Sequence, residues 1–154
     1  MSRAFVKDHE DDAAGSELPD RLISPHRNLV TPTGLAAIEA ELHRLGEEIS
    51  AARARDDRAS LASLKRELRY WSQRRMSAEV IPAPSDHSKV RFGSRVTLRG
   101  AGTTRCLQIV GEDEAAPAAG RLSWVSPVAQ GLLGAAVGDH VDAPGGEAEV
   151  IAID

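Results

Sequence analysis

The chain has 154 residues, enough for one ordinary domain or for a small domain with an extended element attached. Aromatic residues are only 3% of it, against 42% apolar overall, so the core must be aliphatic, which argues against a stacking platform for single-stranded nucleic acid. The formal charge of −4 likewise argues against DNA binding driven by bulk charge.

No apolar run approaches the roughly 18 residues that span a bilayer. The single cysteine, Cys106, has no internal partner, which fits a reducing, cytoplasmic setting. The opening residues are acidic and carry no apolar secretion segment, so export by that route is not expected.

Residues 1–28 hold six acidic side chains against four basic ones and no apolar period. They read as a disordered acidic tail. A different pattern begins at Leu29. Thr31-Pro32-Thr33-Gly34 offers capping residues, with either threonine able to cap a following helix. Leu35, Ile38, Leu42, Leu45 and Ile49 then recur at alternating spacings of three and four, the seam of a coiled-coil helix.

A second seam, Leu61, Leu64, Leu68 and Trp71, follows a short polar link of Arg55-Asp56-Asp57-Arg58, where Asp57 or Ser60 is placed to cap the next helix. Two seams joined so closely predict an antiparallel coiled-coil hairpin over 29–81, with arms about 30 Å long. Lys65, Arg66, Arg69, Arg74 and Arg75 make the second arm basic. Residues 29–79 nonetheless sum to only +1, so the run reads equally as a solvated face or as a surface steered toward acidic groups.

Residues 82–88 contain Pro82 and Pro84, which stop a helix and mark a linker. From residue 89 the period changes to that of strands. A strand is expected around Val90, Phe92, Val96 and Leu98, with further strands over 103–110, 121–125, 140–142 and 147–153. One helix interrupts them, with Ser126 as N-cap and Pro127 at its first position. Val128, Leu132 and Leu133 should face the sheet, and Gly134 or Gly138 should end the helix. The expected class is α+β: a helical hairpin followed by a small antiparallel sheet domain with one helix, over 89–154.

Five phrases in this second domain carry a resemblance: Phe92-Gly-Ser-Arg-Val96, Ile109-Val-Gly-Glu-Asp-Glu114, Ser126-Pro-Val-Ala-Gln-Gly-Leu-Leu133, Val137-Gly-Asp139 and Pro144-Gly-Gly-Glu147. In order and spacing they resemble the C-terminal domain of the Gre transcription elongation factors. Leu29-Val-Thr-Pro-Thr-Gly-Leu35 and its seam resemble the start of that family's coiled coil. The resemblance implies a fold like the FK506-binding proteins for 89–154 and a cytoplasmic protein whose partner is RNA polymerase. The hairpin would enter the polymerase's secondary channel and meet nascent RNA only indirectly.

By the same resemblance, Ser126 and Pro127 belong to the polymerase-docking surface. Tip carboxylates, here Asp56 and Asp57, would help hold a magnesium ion within the polymerase active centre, with the polymerase hydrolysing its own backtracked RNA. The chain would not itself be an enzyme and would carry no cofactor of its own. Two departures stand out. The arms are shorter than those of the cleavage factors, and the glycine-, serine- and asparagine-containing tip motif is missing. The architecture also resembles the regulator of nucleoside diphosphate kinase, a short-armed polymerase-binding relative, which would modulate without cleavage.

Blander readings stand beside these. Asp56-Asp57 is also a solvated turn with an aspartate cap, and its neighbours Arg53, Arg55 and Arg58 repel a cation. Glu112-Asp113-Glu114 reads as a solvated acidic loop. The five histidines show no ligand spacing, and Cys106 reads as a small, partly buried core residue. Prolyl isomerase chemistry needs a deep aromatic-lined pocket, for which the second domain offers only Phe92 and Trp124. A structural adaptor with other partners is the remaining alternative.

Overall fold

A computed structural model describes residues 18–154. Most of the expected acidic tail therefore lies outside the described residues. The described residues divide into two compact units, one of residues 18–23 and 39–76 and one of residues 24–38 and 77–154. The class is mixed α and β, with two long helices and a five-stranded sheet.

The first unit is built on α1 (Pro32–Ala54, from Glu39 onward) and α2 (Arg58–Ser77, up to Met76). Both begin close to where the seams predict. Leu45, Ile49 and Ala52 form a buried line on α1, while Leu61, Leu64, Leu68 and Trp71 of α2 are half-buried. An ion pair of 3.0 Å between Glu39 and Arg75 joins the near part of α1 to the far end of α2, so the chain doubles back on itself.

Residues 18–21, expected as tail, lie against α2 instead. Arg21 pairs with Glu67 at 2.7 Å and sits 3.7 Å over the Tyr70 ring. Arg66 donates to the Pro19 carbonyl at 2.7 Å, and Arg69 pairs with Asp20. The basic run of the second arm is thus largely committed within the unit. Arg74 goes further and is only 1% exposed, so it belongs to no solvated face.

The second unit holds two sheets. A small one pairs β1 (Leu29–Val30) with β2 (Glu79–Val80) in parallel, a contact with no counterpart in the strand pattern of the sequence. The main sheet contains β3 (Arg95–Gly100), β4 (Thr103–Val110), β5 (Arg121–Ser123), β6 (His140–Ala143) and β7 (Gly146–Ile153) in the order β5-β4-β3-β7-β6. The expectation of an antiparallel sheet needs one correction, because β4 and β5 run parallel. The first strand also starts later than expected. Gly93 takes a φ of +86° ahead of it, which bends the chain before pairing begins.

Val96, Leu98, Leu107, Ile109, Leu122 and Val150 line one face of this sheet. The helix α3 (Pro127–Leu132) adds Ala129 and Leu132 to the same core, with Val128 and Leu133 packed at its margin. Cys106 departs from its reading and is exposed. It alternates with the buried Leu107, so strand parity turns it to the opposite face.

Candidate functional site

The link between α1 and α2 is a tightly specified turn. Asp57 N–H donates to the Ala52 carbonyl at 3.0 Å and Asp56 N–H to the Arg53 carbonyl at 3.1 Å, the paired bonds of a Schellman helix end. The motif needs a left-handed residue, and Asp56 supplies it with a φ of 52°. Glycine usually fills this position, and aspartate is among the few residues that tolerate it.

Asp57 starts the next helix. Its carboxylate accepts from Ser60 N–H at 3.1 Å and from Ser60 Oγ at 2.7 Å, and Arg55 stands 3.5 Å away. These hydrogen bonds from Ser60, aided by Arg55, hold its carboxyl below the usual aspartate range. The two adjacent acids therefore differ in role. Both oxygens of Asp57 are engaged in capping α2, whereas no side-chain hydrogen bond or ion pair engages Asp56 among the described residues.

Magnesium requires six oxygen ligands in near-octahedral geometry. No group of three or more potential ligating side chains occurs among the described residues. Asp56 thus offers a cation a single uncommitted carboxylate.

In the second unit, Ser126 and Pro127 stand where the sequence places them. Ser126 has extended backbone and accepts from Ala129 N–H at 3.3 Å, and Pro127 occupies the first helical turn with its side chain exposed. Gln130 reaches back to the Trp124 carbonyl at 2.6 Å and ties the helix to the strand end before it.

The acidic loop reading of Glu112-Asp113-Glu114 is overturned. These residues form a half-buried 3₁₀ turn. Glu114 accepts from the backbone N–H groups of Thr31 and Gly111, both at 3.1 Å, and from the Thr31 hydroxyl. Thr31 in turn caps α1, its hydroxyl oxygen accepting from Gly34 N–H at 3.0 Å. Glu112 accepts from Ser24 Oγ at 2.9 Å. The Gly111 N–H contact is only half of a capping box, since glycine has no side chain to return it, so the sequence carried no local signal for the clamp on Thr31.

Residues 85–154 match the family described as "Transcription elongation factor, GreA/GreB, C-term". The chain is 35% identical over 136 residues to the transcription elongation factor GreB of Xanthomonas axonopodis pv. citri, covering 75% of this chain and 81% of that one. It is 35% identical over 140 residues to the transcription elongation factor GreA of Rhizobium leguminosarum bv. trifolii, covering 76% and 89%. Among solved structures it is similar to GreA factor homolog 1 of Thermus thermophilus, at 22% identity and a TM-score of 0.40 over 84% of this chain and 99% of that one. The chain belongs to the Gre family of transcription elongation factors.

Proposed function

We propose that this chain binds RNA polymerase at the secondary channel and modulates pausing or initiation from there. Family membership carries the reading, because the relatives that define it are transcription elongation factors over most of the chain. In this reading the sheet unit, with a fold like the FK506-binding proteins, docks through the surface around Ser126 and Pro127. The α1–α2 pair acts as a coiled-coil hairpin that presents Asp56 to the channel. At about 1.5 Å per residue, the 20 residues of α2 reach about 30 Å. A cytoplasmic location follows from the partner.

Stimulated cleavage of backtracked RNA is the second reading, favoured by the uncommitted carboxylate of Asp56. There the polymerase would perform the hydrolysis and hold the magnesium ion, and Asp56 would add an oxygen ligand or orient water. Asp57 supports that geometry by capping α2.

The test adds purified protein to a stalled, backtracked elongation complex. Shortened 3′ ends that are lost with Asp56→Gly, a variant that keeps the turn, establish cleavage. Slowed or blocked synthesis without shortened ends, equal in the variant, establishes occupation of the channel. Failure to bind polymerase at micromolar concentration overturns both.

A further inference from the structure

The strand register of the main sheet creates a polar row that has no part in the proposed docking or tip chemistry. Arg95 on β3 is directly opposite Gln108 on β4, and Gln108 is directly opposite Arg121 on β5. Residues opposite one another in paired strands project from the same face. Their sequence neighbours Val96, Leu107, Ile109 and Leu122 are buried on the other face. Arg95, Gln108 and Arg121 therefore cross the outer face in line, with the end Cα atoms about 10 Å apart.

All three line a cavity of about 560 Å³ whose walls include Pro32, Thr33, Ile81 and Ala83. The same three also line an adjoining cavity of about 300 Å³. Among the described residues neither Arg95 nor Arg121 has an ion pair or side-chain hydrogen bond, while Arg99 on the same face of β3 is paired with Glu149 at 2.9 Å. Two carboxylates also line the larger cavity, Asp113 and Glu114, the latter already engaged by Thr31 and Gly111.

We propose that the Arg95–Gln108–Arg121 row binds a small ligand bearing a phosphate or carboxylate group. Planar guanidinium forks recognise such oxyanions bidentately, and the carboxamide between them adds a neutral donor. The volume is that of a small-molecule site. Pro32, Ile81 and Ala83 provide an apolar wall for the uncharged part of the ligand.

Titration of the full chain with pyrophosphate, glycerol phosphate and succinate, followed by nuclear magnetic resonance, tests this. At millimolar concentration at least one probe shifts the Gln108 side-chain amide and the Arg95 and Arg121 Nε signals saturably. Which probe does so distinguishes a phosphate from a carboxylate ligand. The double variant Arg95→Gln/Arg121→Gln binds roughly tenfold or more weakly, since each charged hydrogen bond is worth about a decade in affinity. Arg99→Gln leaves affinity unchanged. Three results overturn the site: no saturable shift with any probe, as expected if the face meets only an acidic macromolecule; undiminished binding by a folded double variant; or an equal loss with Arg99→Gln, which would show bulk charge alone.

Discussion

The left-handed backbone of Asp56, at a φ of 52°, carries a cost that glycine would not. The αL conformation disfavours a residue with Cβ by about 1 kcal/mol or more, partly offset for glycine by its freer unfolded chain. Asp56→Gly should therefore leave stability unchanged or raise it by up to about 1 kcal/mol, whereas Asp56→Val should lower it by about 1 kcal/mol or more. Urea denaturation followed by circular dichroism reads both. A loss on Asp56→Gly would mean that the aspartate side chain itself holds the turn. Asp57 acts oppositely. Because hydrogen bonds from Ser60 depress its folded pKa, its cap contributes fully above the unfolded carboxylate pKa. That contribution is lost as pH falls through the depressed folded value.

At the level of elements, β1 is held where it is by close approach to the 3₁₀ turn. A Cβ on Gly111 would lie 2.4 Å from the Leu29 carbonyl oxygen, and one on Gly34 would fall on the Glu114 carboxylate at 2.1 Å. The first obstacle is backbone and cannot step aside. Gly111→Ala should destabilise the second unit by about 1–3 kcal/mol, as overpacking does. It should also remove amide protection at Leu29 and Val30; unchanged protection there would show that the contact does not position β1.

The helices were legible because one periodic seam determines both where a helix lies and which side is buried. Ser126-Pro127 was legible because a cap is a local signal. The parallel pairing of Leu29–Val30 with Glu79–Val80 was not, since two residues carry no period and their partners are remote in sequence. The exposure of Cys106 follows from its parity with Leu107 and Ile109, a constraint present in the sequence that residue type alone does not carry. The burial of Arg74 and the clamp by Glu114 depend on tertiary neighbours. The docking and tip roles drew on family resemblance, and the arginine row required the register.

Across the whole molecule the two units have unequal cores. The sheet unit has a contiguous cluster including Val96, Ile109, Leu132 and Val150, all essentially inaccessible. The first unit has the line of Leu45, Ile49 and Ala52, and the apolar seam of α2 is only half-buried. Regions with few buried apolar contacts open at lower free energy. Hydrogen exchange should therefore protect amides of β3 and β4 more strongly than those in the middle of α2. Equal protection would indicate that both units unfold as a single cooperative block.

The exposed thiol of Cys106 has a practical consequence. It is the chain's only cysteine, and it lines the smaller cavity with Arg95, Gln108 and Arg121. An environment-sensitive fluorophore attached there would need no engineered residue and no removal of competing thiols. The protein carries its own attachment point for an optical sensor, two residues along the strand from the carboxamide that the ligand would meet and on the same face.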